Sequence, residues 1–173
     1  MQDKIIHFLR SATGYLSGED ISRQLNISRS AIWKYMEELR KEGYEIIAVP
    51  HLGYKLLSSP DKLYPREIQH QLTTKTIGQR IVYSETIPST MDEAFQLALQ
   101  GAEEGTVVIA ESQMKGRGRL GRHWTSPKGK GIYMSLILRP ALLPTDIAKI
   151  TLMGAVAVND AISSLISIKP RIK

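Results

Sequence analysis

Helical spacing of apolar residues fills the first forty-two positions of this chain, then gives way at Gly43 to two short alternating segments. A switch of period from 3.6 to 2 constrains the fold strongly, because a helix-period pattern cannot sit as a strand. Ile5, Ile6, Phe8 and Leu9 fall on one side of a first helix. Ser17 stands at an N-cap position with Asp20 three residues on, ahead of Ile21 and Leu25, and Asn26-Ile27 breaks that short helix. Ser28 caps a third helix running to about Glu42, with Ala31, Ile32, Met36 and Leu39 as its buried stripe. Gly43 suits the left-handed position after it. Strands are expected at about 44–49 and 54–57, joined by Pro50-His51-Leu52-Gly53. Three helices and a hairpin make a winged helix-turn-helix over residues 1–60.

Such a module presents the N-terminal half of its third helix to a DNA major groove, where backbone N–H groups also favour phosphate. Here that half carries Ser28, Arg29, Ser30, Trp33 and Lys34, with His51 and Lys55 available in the wing. Trp33 either reaches DNA or packs against the wing, and a module of this kind can also serve protein contacts alone. Residues 1–60 hold eight Lys or Arg and seven Asp or Glu, so one copy offers little phosphate attraction. A dimer on a two-part operator would double it.

Ser58-Ser59-Pro60-Asp61-Lys62 reads as a linker, and a helix is expected over 63–74, so residues 61–79 connect the module to the rest of the chain. From residue 80 the pattern becomes α/β, giving an α+β chain overall. Strands are expected at 81–83, 106–110 and 131–138, and helices from Thr90 and over 146–166. In the third strand Ile132, Met134, Leu136 and Leu138 alternate with Tyr133, Ser135 and Ile137, so one face should be well buried. The long apolar helix should cover a sheet, and Arg171-Ile172-Lys173 reads as the start of another strand. The chain has no cysteine, which excludes disulfides and a thiol nucleophile, and no metal site is expected. No apolar run approaches bilayer length and the first residues lack a secretory layout, so a cytoplasmic protein is expected.

Lys115 to Lys130 contains six Lys or Arg and no Asp or Glu, within Gly116-Arg117-Gly118-Arg119-Leu120-Gly121-Arg122-His123-Trp124. Glycines let a backbone fold close to a ligand, and guanidinium forks clamp carboxylate or phosphate oxygens in pairs. Together with Ser89-Thr90, Gln113 and the segment 131–140, this run resembles the bacterial biotin–protein ligases. With a winged helix-turn-helix in front, it resembles the bifunctional members that also repress biotin biosynthesis.

The resemblance implies a class II synthetase-like mixed sheet covered by helices, beginning near residue 80 and incomplete at residue 173. It implies substrates ATP and biotin with Mg2+, a biotinyl-5′-adenylate intermediate, and transfer to one lysine of a biotin carboxyl carrier protein. Arg117 and Arg119 take the catalytic positions, with Arg122 as a further cation. Ser89, Thr90, Met91, Gln113, Arg117, Gly118, Arg119 and Trp124 take the biotin and adenylate positions. Trp124 either walls the adenylate pocket or is a core residue. Operator DNA and a ligand-promoted homodimer are the implied partners, with 131–138 a candidate dimer region. The alternative is a DNA-binding biotin sensor without ligase activity, and a lipoate–protein ligase would share the fold class.

Two departures matter. Met91 stands where the family has Asn, removing a polar side chain. The family also continues beyond Lys173 with Trp-Pro-Asn-Asp and a Lys-x-x-Gly-Ile segment. The sequence is therefore expected to be truncated, with an unpaired sheet edge and little carrier biotinylation.

Overall fold

The computed structural model describes residues 1–172 and divides into two compact units, Met1–Ile137 and Leu138–Lys173. The first unit opens with helices α1 (Gln2–Ser11), α2 (Gly18–Leu25) and α3 (Arg29–Lys41), followed by strands β1 (Glu45–Val49) and β2 (Gly53–Ser58). Local chemistry sets each boundary. The Ser17 hydroxyl accepts from Glu19 N–H at 3.1 Å, and Ser28 accepts from Ala31 N–H at 3.2 Å. Asn26 ends α2 in the left-handed conformation, and Glu42 caps α3 ahead of Gly43 at φ 101°.

Ile5, Ile6, Leu9, Ile21, Ile32, Met36, Leu39, Tyr44 and Ile46 form one buried cluster, drawn from all three helices and the hairpin. Fully burying an aliphatic side chain is worth about 1.5–3 kcal/mol, so this cluster supplies the module's stability. A third strand-like rung lay outside the sequence reading. Leu16 bridges Tyr54 through backbone hydrogen bonds of 2.8 and 2.9 Å, stitching the α1–α2 connection to the wing. Gly53 makes this possible: at φ 110° a Cβ would stand 2.2 Å from the Leu16 carbonyl oxygen.

The helix expected over 63–74 is shorter: α4 spans Pro65–Gln69. The chain turns back instead, since the Gln69 amide donates to the Gly78 and Gln79 carbonyls at 3.4 and 2.9 Å. Leu72 also packs where a Cβ on Gly78 would lie, so tertiary contact overrides local propensity.

Strands β3 (Ile81–Ser84), β4 (Val107–Ala110) and β5 (Tyr133–Leu136) form a mixed sheet in the order β3-β4-β5. β3 runs parallel to β4 through helix α5 (Thr90–Leu99), and β5 is antiparallel to β4. Every residue of β4 is buried, and Ile87, Ala94, Ala102, Val108, Ala110 and Ile137 close a second core against α5. Alternation in the sequence left open which face of β5 is buried. Ser135 and Ile137 turn inward, while Ile132, Met134 and Leu138 are 69%, 52% and 39% exposed. Alternation fixed the period but not the face, and a polar partner at Thr90 draws Ser135 inside.

The second unit holds one helix, α6 (Ala148–Leu165), after a short 3-10 turn at Pro144–Asp146. None of its residues is buried, although the sequence led to the expectation of a helix with a covered face. Arg171 and Ile172 carry no strand, and Lys173, the end of that expected strand, lies outside the described residues.

Candidate functional site

Two surfaces gather the residues singled out from the sequence. On the winged module, Ser28, Arg29, Ser30, Trp33 and Lys34 are all exposed along the start of α3. Trp33 is 59% exposed, which removes the reading in which it packs against the wing. A hollow of about 470 Å³ separates the start of α2 from the wing, lined by Ser17, Gly18, Arg29 and His51 among others. His51 itself holds a left-handed backbone at φ 66° at the wing tip.

The second surface lies where β3, β4 and α5 meet. Ser89 caps α5, accepting from Asp92 N–H at 3.4 Å, and is 3% exposed. This puts Thr90, 4% exposed, against the segment that leaves β4. Gln113 Oε1 accepts from Thr90 N–H at 2.8 Å and from the Thr90 hydroxyl at 3.0 Å. The Gln113 Nε2 then donates to Ser126 Oγ at 3.2 Å, and Ser135 donates to the Thr90 hydroxyl at 3.0 Å. Ser89, Thr90 and Gln113, chosen from sequence, are thus brought together.

Ser126 and Ser135 complete the cluster and were not selected. A signal existed for Ser135, a polar residue interrupting an apolar strand. Ser126 was hidden within the basic run.

Backbone pairing holds the Gly/Arg loop over this cluster as an irregular hairpin. Gln113 pairs with Ile87 on one side and Ser126 on the other, and Arg117 bridges His123. Trp124 N–H donates to the Gly116 carbonyl at 2.8 Å and Gly118 N–H to the Arg122 carbonyl at 2.7 Å. A Cβ on Gly116 would lie 2.3 Å from the Trp124 carbonyl oxygen and 2.7 Å from Ser126 Oγ, so the rung closes only on glycine.

The arginines differ. Arg117 pairs with Asp92 of α5 at 2.7 Å, whereas Arg119 and Arg122 make no ion pair among the described residues. With Gly118, Leu120, His123 and Trp124 they line a hollow of about 610 Å³. Trp124 is 60% exposed, so it is not a core residue; Met91 is 58% exposed and stays outside the polar cluster. At the rim, Lys128 hydrogen-bonds Glu85 and, with Lys62, holds its carboxyl below the usual range.

Chemically, the arrangement offers hydrogen-bonded amide and hydroxyl groups at its floor and exposed guanidinium groups at its mouth. A polar, neutral head could be read below while an anion is neutralised above. Among the described residues no three His, Cys, Asp or Glu gather to hold a metal, and no helix is long and apolar enough to cross a membrane.

Comparison with known proteins agrees with this division. Residues 2–55 match an HTH domain family, and residues 83–173 match the biotin/lipoate A/B protein ligase family. The chain is 45% identical over 172 residues to the bifunctional ligase/repressor BirA of Bacillus spizizenii, covering 99% of this chain and 53% of that protein. It is 31% identical over 157 residues to BirA of Escherichia coli, covering 91% and 47%. The solved biotin protein ligase from Aquifex aeolicus in complex with biotin and ATP aligns at 30% identity and TM-score 0.45, over 52% of this chain and 37% of that one. The chain spans about half the length of the BirA relatives it matches. With the ligase match covering more than half of its residues, the chain belongs to the biotin/lipoate A/B protein ligase family.

Proposed function

We propose that this chain is the DNA-binding and ligand-gathering part of a biotin–protein ligase that also acts as a biotin-responsive transcriptional repressor. The observation that carries the reading is the hydrogen-bonded floor of Thr90, Gln113, Ser126 and Ser135, set at the Ser89-capped start of α5 beside an arginine-bearing hairpin. Residues 1–60 form the operator-binding module, 61–79 the connection, and 80–173 the first part of the ligase domain. The match to the biotin/lipoate A/B protein ligase family and the ligase/repressor names of the BirA relatives support this reading.

In the proposed reaction, a biotin carboxylate oxygen attacks the α-phosphorus of ATP and pyrophosphate leaves, giving biotinyl-5′-AMP. A carrier lysine amine then attacks the acyl carbon, forming an amide and releasing AMP. Neither step needs a protein nucleophile; both need alignment and charge neutralisation. Thr90 and Gln113 hydrogen-bond the biotin ring system, with Ser89 setting the helix start. Arg119 and Arg122 meet the developing phosphate charge, and Arg117 joins them by leaving Asp92. Gly118 lets the loop approach, and Trp124 walls the adenylate side. Mg2+ arrives with the nucleotide as part of that substrate, held chiefly by phosphate oxygens.

DNA binding runs through Ser28, Arg29, Ser30, Trp33 and Lys34, with a ligand-promoted homodimer doubling the contacts on operator DNA. A repressor of this kind works in the cytoplasm. Incubating the intact protein with biotin, ATP·Mg2+ and a biotin carboxyl carrier domain should yield biotinylated carrier. Failure to form biotinyl-adenylate while biotin still binds would favour a sensor without ligase activity. Absence of biotin binding would sink the whole reading.

A further inference from the structure

The winged module and the mixed sheet are joined by more than the run of the chain. Tyr64, the residue before α4, packs against the helical core and meets Tyr83 of β3 edge-on at 5.2 Å. Glu111, one residue past β4 and 5% exposed, accepts from Leu63 N–H at 2.8 Å and from the Tyr83 hydroxyl at 3.3 Å. Burial, followed by the Glu111 charge, pushes the Tyr83 hydroxyl well above its ordinary range. On the other side of α4, the Arg66 guanidinium lies over the Tyr44 and Tyr64 rings at 5.2 and 5.1 Å. It donates to the Tyr44 hydroxyl at 2.7 Å, pairs with Glu42, and reaches Asp3 at 3.3 Å. Glu67 takes hydrogen bonds from Tyr44 and Arg10, and Arg10 also donates to Ser59 at 2.8 Å. Among the described residues no buried side-chain nitrogen or oxygen lacks a partner.

A loose tether needs none of this. Half-buried charges are a poor source of stability, because desolvation costs several kcal/mol per ion and apolar packing would serve as well. Directional partners do something else: they are satisfied in only one geometry. Arg66 meets its demands only when the end of α3 (Glu42, Tyr44) and the start of α1 (Asp3) sit at one place relative to α4. Glu111 meets its own only when Leu63 sits at one place relative to β4. The contacts therefore run unbroken from the C-terminal end of α3 to a point two residues before Gln113.

We propose that Arg66 and Glu111 are positioning residues that fix the orientation of α3 relative to β4, so that the winged module is presented at one angle. Single cysteines placed at exposed Lys41 and Gln96, in a background otherwise free of cysteine, can carry spin labels. Double electron–electron resonance on the unliganded protein should give one narrow distance distribution. Arg66→Ala and Glu111→Met, the latter keeping side-chain length while removing both oxygens, should each broaden it at least twofold at unchanged helical content. If Arg66→Ala loses helical content, Glu111→Met at native content carries the test. A role in stability alone would lower the melting temperature and leave the width untouched. An unchanged width in Glu111→Met, or a broad distribution before substitution, overturns the proposal. Neither outcome depends on biotin chemistry.

Discussion

Thr90→Val removes one oxygen from the centre of the polar floor while keeping the side chain's shape. That hydroxyl donates to Gln113 Oε1 and accepts from Ser135, each at 3.0 Å, in a residue 4% exposed. Gln113 Oε1 keeps its second donor, the Thr90 N–H at 2.8 Å, so it is not stranded. Ser135 loses its acceptor in a half-buried position where water meets part of the need. One net hydrogen bond is worth about 1 kcal/mol, and an unmet buried donor costs about 1–3 kcal/mol. With the lower end applying at Ser135, the sum is about 2 kcal/mol, or a fall in melting temperature of about 4–8 °C for a chain of this length. Ser135→Ala alone should cost about half as much. The double variant should cost clearly less than the two added together, because removing both partners strands neither. Urea unfolding of the four proteins measures this coupling. A coupling below about 0.5 kcal/mol, within the scatter expected of independent sites, would refute the hydrogen-bond relay.

Gly53→Ala must displace the Leu16 carbonyl 2.2 Å away, at a backbone φ of 110°, and should destabilise the winged module by about 2 kcal/mol or more in thermal unfolding. Trp33→Ala, at a residue 59% exposed, should change stability by less than about 0.5 kcal/mol yet weaken operator binding severalfold by fluorescence anisotropy. Burial, then the Glu67 hydrogen bond, raises Tyr44 above its ordinary value of 10.0, so the unfolded chain loses that proton first. The stabilisation is complete below that value and falls as pH rises above it; Tyr44→Phe should flatten the loss that sets in above about pH 10 in melting experiments. Arg119→Gly should speed release of biotinyl-adenylate in the intact protein, and an unchanged release rate counts against its role.

The winged module was legible because its elements are locally specified. Ser17, Ser28, Asn26 and Gly43 mark helix ends through backbone chemistry that needs no distant partner. What escaped was non-local. The Leu16–Tyr54 rung depends on a glycine thirty-seven residues later in the chain, and the early end of α4 on Gln69 meeting the Gly78 turn. The inward face of β5 shows the same limit, since period alone cannot say which side meets a core. In the polar cluster, Ser89, Thr90 and Gln113 came from resemblance, and only the fold brought Ser126 and Ser135 to them. The polar joint around Arg66 was invisible, because Asp3, Glu42, Tyr44 and Glu67 read singly as ordinary surface residues.

The alternation of glycine and arginine between Gly116 and Arg122 reconciles two opposed demands. The hairpin's root must press its backbone against Trp124 and Ser126, which only Gly116 permits. Its tip must stay open to exchange, and there Leu120 holds a left-handed backbone at φ 58° while 90% exposed. A non-glycine residue in that region costs about 1–2 kcal/mol, a backbone strain carried at the exposed tip. The cations divide along the same line. Arg117, near the root, is tied to Asp92 by a pair 60% and 43% exposed, and such surface pairs are worth about 0–1 kcal/mol. An arriving phosphate or carboxylate can displace Asp92 at little cost, while Arg119 and Arg122 need no displacement at all. If the hairpin takes an anion as proposed, charge neutralisation would be staged, with Arg119 and Arg122 engaging first and Arg117 joining them once Asp92 is displaced.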